Sequence, residues 1–264
     1  MKQRVLSVLV LLAIVAVFIP FSFTRVLLFG VAGILCAYEL CINMKSVGVN
    51  VTSWVLYAYL AVQIFLTETR CGLMSYIACF VGAVYVALFS GILHEKVSGK
   101  GAIYTVAGLA YPCCPFALIM IISVSQRWVE TLCLACFSVW LCDSFALFGG
   151  KWWGKHKVAP LVSPNKTIEG CVTGAAFSLL GGLIVFFGAK IFHSSIGLLP
   201  CLVTAFVSST LGQIGDLAES LMKRYLGIKD FSNLIPGHGG MFDRADSLMF
   251  AIPTAYLCLY IFGL

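Results

Sequence analysis

The chain has 264 residues, of which 61% are hydrophobic and only 11% charged, with a formal net charge of +6 and a mean hydropathy of +1.00. A soluble domain carries roughly a quarter of its residues as charges, so this composition excludes one. Apolar runs of about 20 residues recur from end to end and leave no stretch for a separate soluble domain. The expectation is an all-α polytopic membrane protein, one integral-membrane domain over 1–264. Residues 1–128 would supply helices of general apolar character, and 129–264 would carry the chemistry.

Residues 1–23 open with Lys2 and Arg4 and then run apolar from Val5 to Ile19. The following Pro20-Phe21-Ser22-Phe23 does not resemble a small-x-small cleavage site, so this run reads as a first transmembrane helix, retained in the chain. Further spans are predicted at 26–44, 53–68, 71–93, 102–124, 129–149, 172–192, 196–215 and 247–264, about nine in all. The third is short, and the eighth should continue beyond the bilayer as a polar helix. Glu39, near the end of the second span, leaves two readings open: a member of a site, or a partner for polar groups inside the bundle. The 12 cysteines are scattered through apolar runs. They read as small packing hydrophobes rather than a disulfide framework or zinc site.

The basic residues divide unevenly between the two faces these spans create. Lys2, Arg4, Lys45, Lys96, Lys100 and all the Lys and Arg of loops 150–171 and 216–246 fall on one side. Arg25, Arg70, Arg127 and Lys190 fall on the other. The positive-inside rule then puts the N-terminus in the cytoplasm and the C-terminus outside, with both charged loops facing the cytoplasm.

Those two loops hold the chemistry-bearing residues. "GDLAESLMKR" (215–224) reads as helix, with Asp216, Glu219, Ser220 and Lys223 at three- and four-residue spacing on one face. Asp216 and Glu219 are like charges one turn apart, which repel unless a cation sits between them. Glu219 and Lys223 are also spaced for an ordinary surface ion pair. "FDRADS" places Asp243 and Asp246 three apart at the mouth of the last span, where carboxylates are costly and mark ions or substrate. Such oxygens suit Mg²⁺, which takes one or two carboxylates and completes its shell with water and phosphate.

Between them, "IPGHGG" uses Pro236, Gly237, Gly239 and Gly240 to turn the chain, a geometry able to aim backbone N–H groups at an anion. His238 could as well be a loop histidine bonded to backbone. In the other loop, Ser163 before Pro164 reads as a helix N-cap with Pro at the first helical position. Lys166 would fall in that helix's first turn, where a cation is disfavoured unless an anion docks there. Lys151, Lys155 and Lys157 beside Trp152 and Trp153 read as interface anchors that can also meet anionic headgroups. Asp143 lies just upstream.

Carboxylates, Lys and Arg, and Gly turns gathered at one membrane face describe phosphate chemistry, and the apolar mass implies a lipid substrate. The pattern Ser220, Lys223, Arg224, Lys229, Asp230, Pro236, His238, Gly239, Gly240, Asp243, Arg244, Asp246 resembles the signature of the phosphatidate cytidylyltransferase (CDP-diacylglycerol synthase) family. "SPNKTIEG" (163–170) and "DSFALFGGKWWGKHK" (143–157) resemble the family's preceding blocks in the same order. Ala245 and Phe148 depart from its preferences but remove no charge or ligand.

The resemblance implies transfer of CMP from CTP to phosphatidate. It implies that Asp216 and Asp243 bind an essential Mg²⁺ and a second cation such as K⁺, assisted by Glu219 and Asp246. Lys166, Lys223, Lys229 and Arg244 would hold triphosphate and phosphatidate oxygens, and Arg224 would do so or face solvent. Ser163, Ser220, Asp230, His238, Gly239 and Gly240 would complete the substrate contacts. CTP, phosphatidate and membrane lipids are the implied partners, with a homodimer and no nucleic acid, in a bacterial cytoplasmic (inner) membrane. The competing readings are a cation-coupled transporter, a CTP-dependent lipid kinase, and a cytidylyltransferase for another lipid phosphate.

Overall fold

The computed structural model describes residues 10, 13–93, 99–237 and 239–264, so residues 5–9 and 11–12 of the first expected span, the 94–98 loop and His238 lie outside the described residues. The chain is mainly helical and divides into two compact units: 1–125 with 226–244, and 126–225 with 245–264.

The first unit holds α1 (Ser22–Ser46), α2 (Ser53–Glu68), α3 (Leu73–Leu93), α4 (Gly99–Gly108) and α5 (Cys114–Ser123). Helices α4 and α5 join through a π-helical turn, Leu109–Cys113, whose Pro112 has no N–H to donate. The core is aliphatic, with Val26, Leu40, Leu56, Leu60, Leu109 and Met120 shut away from solvent. Buried polar groups bond one another: the Thr52 and Ser90 hydroxyls lie 2.7 Å apart, and Thr52 N–H donates to Thr105 Oγ1 at 2.9 Å. Arg25, only 4% exposed, donates through Nε to the Ser123 carbonyl at the end of α5 (2.8 Å). Helix α3 differs from the rest. Of its 21 residues only Ala87 and Ser90 are buried, which suits an element whose outer faces meet lipid.

The second unit holds α6 (Trp128–Trp153), strands β1 (Lys157–Ala159) and β2 (Ser163–Thr167), α7 (Ile168–Ile191), α8 (Leu198–Leu226, its last residue counted with the first unit) and α9 (Phe242–Ile261, entering at Ala245). Helices α6 and α7 approach closely because glycines face them. A Cβ at Gly174 would lie 2.5 Å from the Cys142 carbonyl oxygen, and one at Gly181 would lie 2.9 Å from Ser138 N. Small residues at helix contacts are how membrane helices gain packing where lipid removes the hydrophobic drive. Leu134, Val185, Ile196, Cys201 and Leu259 fill the core of this unit.

Among the described residues, six helical stretches are long and apolar enough to cross a membrane: Ser22–Ser46, Leu73–Leu93, Gly99–Ser123, Trp128–Trp153, Ile168–Ile191 and Leu198–Leu226. Helix α2 has 16 residues, short of a bilayer's thickness. Helix α9 spends its first turns on Asp243, Arg244 and Asp246.

One local expectation is corrected. Ser163 does not cap a helix and Lys166 is not in a first turn, because Ser163–Thr167 is strand β2, paired antiparallel with β1 through Ala159↔Ser163 and Lys157↔Thr167. The cap is Thr167, whose Oγ1 accepts the Gly170 N–H at 3.2 Å. Pro164 fits either place, a first helical turn or a short edge strand, because both tolerate the missing N–H.

Candidate active site

The polar end of α8 puts Asp216, Glu219, Ser220 and Lys223 on one helix. Glycine makes room for α9 beside them: a Cβ at Gly215 would lie 2.6 Å from the Asp246 carbonyl oxygen. In consequence Asp216, Glu219 and Asp246 each offer a carboxylate oxygen within 4.8 Å of the others. Three anionic groups at that spacing repel unless cations lie among them, and two lysines do. Lys166 Nζ lies 2.6 Å from Asp216 Oδ2, and Lys223 Nζ lies 2.5 Å from Glu219 Oε2. Glu219 has no exposed surface. Burial, and after it the Asp216 carboxylate, push the Asp246 carboxyl up to about 7, although Ser247 N–H donates to its Oδ1 at 2.7 Å.

Lys166 reaches Asp216 because the hairpin delivers it. The Ile168 N–H donates to the His156 carbonyl (2.8 Å), and Glu169 accepts from Lys155 N (3.1 Å) and pairs with His156 Nδ1 (2.6 Å). These contacts tie the hairpin to the start of α7. Arg224 steadies the hairpin from α8, donating through Nε to the Val162 carbonyl at 3.0 Å. Ser220 Oγ is 3.4 Å from Asp216 Oδ1, and Ser163 lies half-buried in β2. Trp152 and Trp153 are exposed at the end of α6, as interface anchors are.

The remaining motif residues belong to the first unit. Asp243 is buried, and its Oδ2 accepts backbone N–H groups from Phe231 (2.9 Å) and Gly240 (2.8 Å). Gly239 has φ +81°, the left-handed conformation that glycine takes at no steric cost. Lys229, Asp230 and Arg244 are exposed. Glu39 faces the same loop: it accepts from Ser232 Oγ (2.6 Å), Met241 N (2.9 Å) and Phe242 N (2.9 Å). The N–H groups at 240–242 are therefore directed at two protein carboxylates.

Sequence reasoning passed over Gly215, Thr167 and Asn43. An isolated glycine inside a helical pattern signals close packing, and Thr167 three residues before Gly170 is an ordinary cap spacing, so the first two were legible. Asn43, which donates to the Phe231 carbonyl at 2.7 Å across 188 residues of sequence, had no local signal.

Comparisons with known proteins identify the family. A model described as the cytidylyltransferase family matches residues 2–262. A phosphatidate cytidylyltransferase of Staphylococcus haemolyticus is 30% identical over 262 residues, 98% of this chain and 99% of that protein. One from Bacillus subtilis is 40% identical over 159 residues, 60% of this chain and 58% of its own length. One from Staphylococcus epidermidis is 46% identical over 121 residues, 46% of this chain and 45% of that protein.

Proposed function

The chain belongs to the cytidylyltransferase family, and on that footing we propose that it transfers the CMP moiety of CTP to phosphatidate, giving CDP-diacylglycerol and pyrophosphate for phospholipid synthesis. The observation that carries the site assignment is the triad of carboxylates, Asp216, Glu219 and Asp246, met by Lys166 and Lys223.

The reaction asks for little acid–base work. The nucleophile is a phosphomonoester whose second pKa is about 6, so its oxygen is largely ionised near neutral pH. The harder task is to bring two anions together in line and to stabilise the departing pyrophosphate. Lys166 and Lys223 carry ammonium groups on flexible stems, and both can exchange a carboxylate oxygen for a phosphate oxygen without leaving the site. Ser220 offers a hydroxyl beside Asp216. Lys229 and Arg244 are exposed cations for the phosphates of either substrate.

The donor set of three carboxylates suits Mg²⁺, a hard cation that takes oxygen ligands. Asp216, Glu219 and Asp246 would hold it, and when bound it supplies charge neutralisation at phosphoryl oxygens. A second cation such as K⁺ is part of the same reading.

The wider setting follows from charge and length. The asymmetric Lys and Arg support a cytoplasmic N-terminus and a cytoplasm-facing site in a bacterial inner membrane. The six long apolar stretches, with α2, α9 and the run at 5–23, would make up nine spans. A homodimer rests on the family resemblance alone.

The test uses purified protein in detergent with Mg²⁺, phosphatidate and CTP labelled at the α-phosphate. Label should enter a lipid extract, depend on phosphatidate and fall by about 10²–10³-fold in Asp216→Asn. Label remaining in water refutes the assignment, and lipid labelling from γ-labelled CTP with a polyprenol would identify a kinase instead.

A further inference from the structure

Glu39 is a buried acid that this chemistry leaves without a task. It is 2% exposed on α1, and its carboxylate accepts three hydrogen bonds from a segment about 200 residues away in sequence. Two of the donors, Met241 N and Phe242 N, stand at the start of α9. The first N–H groups of a helix have no acceptor within it, and the helix dipole there favours an anion.

Neighbouring residues are shaped around this arrangement. A Cβ at Gly240 would lie 2.6 Å from Glu39 Oε2, so any side chain there displaces the carboxylate. Asn43, one turn along α1, donates to the Glu39 carbonyl (2.8 Å) and to the Phe231 carbonyl (2.7 Å). The Phe231 ring stacks on Phe242 with centroids 4.3 Å apart. Ile235 N–H donates to the Gly239 carbonyl at 2.9 Å inside the loop. The described residues of 231–242 are thus closed on themselves and fastened at both ends to one turn of α1. Lys229 precedes the closed segment by two residues, and Arg244 follows it by two.

We propose that Glu39 is a positioning residue for cytidylyl transfer: it seats the 231–242 loop and start of α9 so that Lys229 and Arg244 present their charges to substrate phosphates from fixed places. This rests on reading Lys229 and Arg244 as phosphate-binding. A loop held by a carboxylate accepting three donors stays put, whereas a loosened loop carries both cations out of register. Misplacement by about 1 Å costs on the order of 10²-fold in rate.

The test is a double-mutant cycle on kcat/KM for CTP at saturating phosphatidate, using the full chain in detergent. Glu39→Gln keeps the shape but turns one acceptor oxygen into an amide that meets an N–H, and should lower kcat/KM at least about tenfold. In that background, Arg244→Ala and Lys229→Ala should each cost much less than in the parent, because the cations are already misplaced. Effects that multiply undiminished would overturn the proposal and leave Glu39 a general stabiliser. Full activity of Glu39→Gln would overturn it as well. Should Arg244→Ala and Lys229→Ala both be silent in the parent, the phosphate-binding reading itself fails and takes the proposal with it. If Glu39→Gln does not fold, Glu39→Asp, which keeps the charge on a shorter stem, replaces it in the same cycle.

Discussion

Two acidic residues from each unit are met by different partners. In the first unit, Glu39 and Asp243 face backbone N–H groups at 240–242 and at Phe231. In the second, Asp216 and Glu219 face the ammonium groups of Lys166 and Lys223. The difference is one of mobility. A backbone N–H is fixed by the chain on either side of it, so a carboxylate bound to several of them is an anchor. An ammonium on a four-carbon stem can turn to another oxygen, so a carboxylate bound to lysine stays available to a cation. The stretch 216–246 therefore contains both an acid bound to backbone, Asp243, and acids that can hold something else.

Breaking the second group should have the largest effect. Asp216→Asn removes a full charge from the triad and should lower turnover by about 10²–10³-fold, with lipid labelling from α-labelled CTP as the readout. The Mg²⁺ concentration for half-maximal activity should rise, measured in whatever turnover remains. Asp243→Asn sharpens the comparison. Activity should fall, and an unchanged Mg²⁺ requirement would mark Asp243 as an anchor, whereas a raised one would give it the share in the ion that the resemblance implied.

Gly240→Ala attacks the first group without touching a charge. Its methyl group would sit 2.6 Å from Glu39 Oε2, so the carboxylate must shift and cannot keep its bonds to Met241 and Phe242. Activity should drop by about 10²-fold or less, with the Mg²⁺ requirement unmoved. Lys166→Met comes next. It loses one charged contact, worth about 1.5–3 kcal/mol, and kcat/KM for CTP should fall about 10- to 100-fold. A change confined to protein stability would remove Lys166 from the site.

What could be read from the sequence follows the range of the interactions. Asp216, Glu219, Ser220 and Lys223 were legible as one helical face because helix spacing is local, and α8 carries them so. The apolar runs at 26–44 and 71–93 were legible for the same reason, since length and hydropathy are properties of one segment. Glu39 was not: its acceptor sites are filled from residues 232, 241 and 242, and nothing near position 39 announces a loop from the far end of the chain. The grouping of 226–244 with residues 1–125 was hidden likewise, because those residues are joined in sequence to helices of the other unit. The hairpin at 157–167 was missed for a different reason. Ser163-Pro164 is compatible with two local structures, and the pairing with 157–159 that decides between them lies outside the window a cap motif occupies.

That ambiguity supplies the smallest prediction. If the helix began at Ser163, Ser163→Ala would remove a cap and Thr167→Ala would be nearly neutral. With the strand as observed, the order reverses. Thr167 Oγ1 accepts the Gly170 N–H, so Thr167→Ala should cost about 1 kcal/mol. Ser163→Ala keeps the backbone register with Ala159 and should cost a few tenths or less, as exposed or half-buried substitutions away from such features do. Thermal unfolding in one detergent, followed by far-UV circular dichroism, resolves the two variants. The activity of Thr167→Ala adds a second reading. The capped end of α7 is continuous with the strand that carries Lys166, so loosening it should raise KM for CTP more than it lowers kcat. A stability loss with an unaltered KM would mean that Lys166 is held by Asp216 itself rather than delivered by the hairpin.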